Sequence, residues 1–230
     1  MLSFAPAVLP SLVLLIPGLV VAFAVCHAAT GERLLGKAPI AAGTSLGIQT
    51  LVAALLSTVL LLGCMLALTL VSLVRNGPGP IDYPVLFTQK GELIYLSSLE
   101  CAVWTVLLLC LSNSFLADVA VCVSRLGGNA FLGVGVSAGL ALLPMTANYY
   151  TAALPIEGLQ SLVPCSYFVP SRVVGYTGIF PNYDYVSACS FDPRPGTILL
   201  TVMAILIFLL SLLALDFKKP RKCAAHLGTR

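Results

Sequence analysis

Charge is what this chain has least of. Of 230 residues only 9% are Asp, Glu, Lys or Arg, against 59% hydrophobic. A soluble domain carries about 25% charged residues, so the deficit excludes a water-exposed surface over most of the chain and leaves a polytopic membrane protein. Histidine is nearly absent, with His27 and His226 alone, and no Cys-x-x-Cys pair occurs. Zinc and iron–sulfur sites therefore lack a ligand set at usable spacing, and no cofactor is expected. Also missing are His-Glu-x-x-His, Gly-x-Ser-x-Gly, paired carboxylates on one helix face and a nucleotide-binding loop. Neither bond chemistry nor ATP hydrolysis is expected of this chain itself. No charged side chain precedes Glu32, so the first apolar run is expected to be a retained span rather than a cleaved signal peptide.

Long uncharged runs are what the chain has instead. An all-α bundle of five spans is expected, at about 9–25, 48–74, 99–121, 130–147 and 198–215. The whole of 1–230 reads as one transmembrane domain with a basic tail at 216–230. The third run carries Glu100 near its start and Asp118 near its end, 18 residues or about 27 Å apart on a helix. That spacing is expected to place both near the membrane edges, and the middle third of every expected span is free of Asp, Glu, Lys, Arg and His. Carriers driven by an ion gradient usually need such a group at depth. Arg125 and the pair Gly127-Gly128 predict a tight turn between spans three and four.

The segment 154–176, LPIEGLQSLVPCSYFVPSRVVGY, is cut by Pro155, Pro164 and Pro170 into pieces too short to cross a bilayer, yet it is mostly apolar. It is expected to dip into the membrane or lie along its interface, with its backbone covered by protein. Cys165 and Cys189 fall on the same side of the membrane. A disulfide between them and two free thiols are both open readings. Gly135 and Gly139 form Gly-x-x-x-Gly, which permits close helix approach inside the bundle or to a second subunit.

Five spans put the chain ends on opposite faces. With the tail inside, eight cations (Arg33, Lys37, Arg125 and five in the tail) lie inside and four (Arg75, Lys90, Arg172, Arg194) outside. The positive-inside rule then predicts the N-terminus outside and the C-terminus cytoplasmic, in the plasma membrane. The inner link GERLLGKAP, with Glu32, Arg33, Leu34 and Lys37, reads either as a short amphipathic docking helix or as charges that only fix topology.

From Gly31 to Lys222 the order of these features resembles the membrane-spanning permease subunit of ABC-2 type transporters. In that family a cytoplasmic link of the kind Arg-x-Leu-x-x-Lys runs into a long span, and GERLLGK is similar with one residue fewer between the cations. The family's proline-broken outer element before the last span is similar to 154–176, and FKKPRK resembles its basic end. The family usually has six spans, so the chain looks like a member lacking the first. The resemblance implies an ATP-driven exporter, with this chain as a homodimer or heterodimer joined to a separate ATP-binding cassette ATPase and no nucleic-acid partner. It implies that Glu32, Arg33, Leu34 and Lys37 contact the ATPase. It also implies that Pro155, Glu157, Gly158, Pro164, Tyr167 and Phe168 shape an outer gate, the other reading of the two rings being an aromatic belt at the interface. The rival to transport is a structural or assembly subunit of a larger membrane complex with no substrate path of its own.

Overall fold

The computed structural model describes residues 15–27, 42–77, 84–89, 92–151, 162–168, 170, 173 and 193–217. They are mostly helical. Helix α1 is described over Leu15–His27, α2 is Ala42–Asn76, α3 is Ser98–Gly127, α4 is Ala130–Thr151 and α5 is Pro193–Phe217. Three of them are long and apolar enough to cross a membrane, over Leu46–Asn76, Ser98–Gly127 and Pro193–Ala214. Leu15–His27 and Ala130–Leu142 are shorter apolar helices within the described side chains.

Helix α3 is the central element. It packs against α2, α4 and α5, and Leu108, Leu109, Leu116, Ala117, Ala120 and Val121 along it are buried. By contrast α2 and α5 turn rows of large aliphatic side chains outward, from Leu55, Val59 and Leu66 to Val74 at 87% exposure. Apolar surface on that scale is the outside of a bundle solvated by lipid tails rather than by water.

The ends of α3 follow from local chemistry. Ser97 caps its start: the hydroxyl accepts from the Glu100 amide at 3.2 Å while the Glu100 carboxylate accepts from the Ser97 amide at 3.0 Å. At the other end Gly128 takes φ +70°, the left-handed conformation that terminates helices. The Asn129 side chain then accepts from the Phe131 amide at 2.9 Å. The expected turn at Gly127-Gly128 is found. Helix α3 itself runs to Gly127, beyond the expected end near 121, because the polar side chains there are satisfied. Ser124 donates to the Ala120 carbonyl at 2.7 Å and the Arg125 guanidinium to Gln49 of α2 at 2.6 Å. The carboxyl of Asp118 consequently stands nine residues before the helix ends, about 14 Å inside it.

The stretch ahead of α3, between two of the expected spans, holds an antiparallel hairpin. Strand β1 (Pro84–Gln89) pairs with β2 (Glu92–Ser97), Pro84 opposite Ser97 and Gln89 opposite Glu92. The second strand runs directly into the Ser97 cap.

Candidate functional site

The proline-broken segment is described at residues 162–168, 170 and 173. Its centre is a single 3₁₀ turn, Pro164–Phe168. The Ser166 amide donates to the Val163 carbonyl at 3.0 Å and the Val173 amide to the Pro170 carbonyl at 2.9 Å. Proline at 164 and 170 breaks any longer helix, which is why the chain here is a chain of turns. Leu162 is exposed, but Cys165, Ser166, Tyr167 and Phe168 are all buried.

The turn lies among α3, α4 and α5 and joins the main apolar core. The Phe168 ring centroid is 5.9 Å from that of Phe115, the planes tilted by 48°. Phe115 stands 17 residues into α3, about 25 Å along its axis. The Tyr167 ring lies over the first turn of α5, where a Cβ on Gly196 would overlap it. Tyr167 and Phe168 are each 0% exposed. Rings of an interface belt face headgroups and water; these two face only protein. The described part of the segment is covered by protein, through Phe115 on α3 and Gly196 on α5.

Burial pushes the Cys165 thiol above the ordinary thiol range, against a smaller opposing contribution from a backbone hydrogen bond. Cys165 is a free thiol, and Cys189 lies outside the described residues. So do Glu32, Arg33, Leu34 and Lys37 of the link and Pro155, Glu157 and Gly158 of the expected gate. Among the described residues Pro164, Tyr167 and Phe168 of that gate are brought together in the one 3₁₀ turn.

Gly135 and Gly139 do not pack inside the bundle. Both are exposed, and a Cβ at either would meet nothing within 4 Å. The close α3–α4 approach is made on the other face of α4. There Gly133 sits against the Ala120 carbonyl and Ser124, and Ser137 donates to the Leu116 carbonyl at 2.9 Å. Two further residues that the sequence reading passed over tie the bundle together. Asn113, fully buried in α3, accepts from the Gly18 amide of α1 at 3.0 Å and donates to the Leu109 carbonyl at 3.1 Å. Gly196 gives Tyr167 its room. The signal for Asn113 was available, as an amide side chain in the middle of an apolar run; the signal for Gly196 was not.

No set of three His, Cys, Asp or Glu side chains among the described residues is grouped to hold a metal ion. What the arrangement supplies is a short, buried turn carrying tyrosine and phenylalanine, set between three helices. No family model matches the chain, and neither a curated protein nor a solved structure is found similar to it.

Proposed function

We propose that this chain is the permease subunit of an ATP-driven exporter of the ABC-2 type, a five-span plasma-membrane protein with its N-terminus outside and its C-terminus cytoplasmic. The observation that carries the reading is the buried turn. An apolar bundle needs no proline-broken segment in its interior for stability alone, whereas a path through the bundle needs an element that can close it. The Pro164–Phe168 turn fills the space between α3, α4 and α5, and withdrawing Tyr167 and Phe168 would open that space. In this reading 31–38 is the cytoplasmic handle through which a separate ATPase moves the spans. The functional unit is a homodimer or heterodimer, and the outward-facing Gly135 and Gly139 leave α4 open to a second subunit.

The test is reconstitution of the chain with a candidate ATP-binding cassette ATPase, followed by charge reversal at Arg33 and Lys37. Stimulated ATP hydrolysis is expected to fall to the ATPase's own rate while membrane insertion is unaffected. Hydrolysis that ignores the reversal would instead favour the structural-subunit reading.

A further inference from the structure

Asp118 is the one carboxyl group set deep within a candidate span among the described side chains, nine residues from the end of α3. Its Oδ1 is buried and has no hydrogen-bond partner, while the residue as a whole keeps intermediate exposure. At 100° per residue, Ser114, Asp118 and Arg125 fall within about 40° of arc on α3. The two flanking members of this strip both reach α2. Ser114 lies 3.4 Å from Thr58, and Arg125 donates to Gln49. Asp118 lies between them along the axis and at the edge of the strip towards Cys122, where the side of α3 that meets α2 gives way to the side that meets α5. One turn further on, Cys122 neighbours Ser211 of α5.

An ionised, unpaired carboxylate at this depth costs several kcal/mol, and the surroundings offer three ways to avoid that cost. Among the described residues no basic side chain pairs with Asp118; His27 of α1 is exposed, its ring beside that of Phe23. Helix α2 has no titratable group between Gln49 and Thr58, α4 has none over 130–142, and α5 has none over 196–214. Cys26 of α1 and Cys122 are thiols, and Arg125 is turned to Gln49. A hard metal cation would demand several ligands, and among the described residues no three His, Cys, Asp or Glu side chains stand together to hold one. A proton needs only the carboxyl itself. We propose that Asp118 is an intramembrane proton-binding site in the groove where α3 meets α2 and α5. One proton from the aqueous phase converts the carboxylate to the neutral acid, removing one negative charge from the bundle interior. This goes beyond the transport reading and does not require it: a proton on Asp118 would make the packing of α3 against α2 depend on the proton supply whatever drives the protein.

The purified full chain in phosphatidylcholine–phosphatidylglycerol nanodiscs provides the test, by infrared spectroscopy at neutral pH. The wild type is expected to show a neutral-carboxyl stretch that shifts in D2O. The band should vanish entirely in Asp118→Asn, persist in Glu100→Gln, and be indifferent to exchanging potassium for sodium chloride. Absence of the band in the wild type, or its survival in Asp118→Asn, overturns the proposal. Loss of the band on adding sodium would convert the site to a cation site and equally overturn it. Should Asp118→Asn fail to fold, Asp118→Glu keeps a carboxyl at the position and must move the band's frequency; an unmoved band refutes the assignment.

Discussion

The ring of Tyr167 occupies the volume that a side chain at residue 196 would need. This places a loop residue and the first turn of α5 in mutual dependence. Glycine at 196 is required for the space beside it, since its backbone is ordinary helix. Gly196→Ala should therefore displace the Tyr167 ring and destabilise the chain by about 1–3 kcal/mol, the usual cost of overpacking. Thermal unfolding in nanodiscs measures it. In a Tyr167→Ala background the same substitution should cost nothing, and additive losses would show that the ring is not the reason for the glycine.

Phe168→Ala removes a fully buried ring that meets Phe115 and should cost about 3–5 kcal/mol. Leu162→Ala, two residues before the 3₁₀ turn and largely exposed, should cost under about 1 kcal/mol. Equal losses at the two positions would mean that the turn lies at the surface rather than between the helices.

Asn113→Leu leaves the Gly18 amide without its acceptor. A buried donor stranded in this way costs about 1–3 kcal/mol. Denaturant titration of the reconstituted chain should show that loss. Asn113→Asp, which keeps an acceptor oxygen facing Gly18, should recover part of it when the introduced carboxyl is neutral, at low pH.

For Cys165 the direction of the pH effect is fixed by burial. Only the thiolate reacts with maleimide, and a raised thiol pKa leaves less of it at neutral pH. Labelling of the folded chain should be slow, should quicken as the pH is made alkaline, and should become fast on unfolding. Peptide mapping by mass spectrometry reads the site. A Cys165 that stays unlabelled after unfolding, until a reductant is added, would show that it is paired, with Cys189 as the first partner to examine.

Gly135→Ala together with Gly139→Ala should leave the monomer's stability unchanged or raise it by about 1 kcal/mol, because open helical glycines gain from a methyl group. A loss of more than about 1 kcal/mol in the monomer would contradict the outward placement. If a second subunit seats on this face, cross-linking yield should fall in the double variant while the melting temperature holds.

How much of this was legible from residues alone depends on whether the cause is local. The turn at Gly127-Gly128 was, because a left-handed glycine needs no distant partner. The apolar character of the spans was equally plain. The true end of α3 was not, since Ser124 and Arg125 read as an exit from the membrane until Gln49, 76 residues away, is seen to hold the guanidinium. With those extra turns Asp118 stands nine residues before the end of α3 rather than close to it. The hairpin was missed because Lys90-Gly91 is a weaker signal than Asn-Gly between strands, and its apolar strand residues do not alternate cleanly. For the proline-broken segment, its brokenness was visible but its burial was not. That burial rests on Phe115 and Gly196, neither of which carries any mark of the contact it makes.

Only Gly128 and Asn129 separate α3 from α4, and both are committed to ending one helix and starting the next. A joint so short has no slack. The two helices must enter the bilayer as one folded pin during biosynthesis, and in any later rearrangement they must travel together.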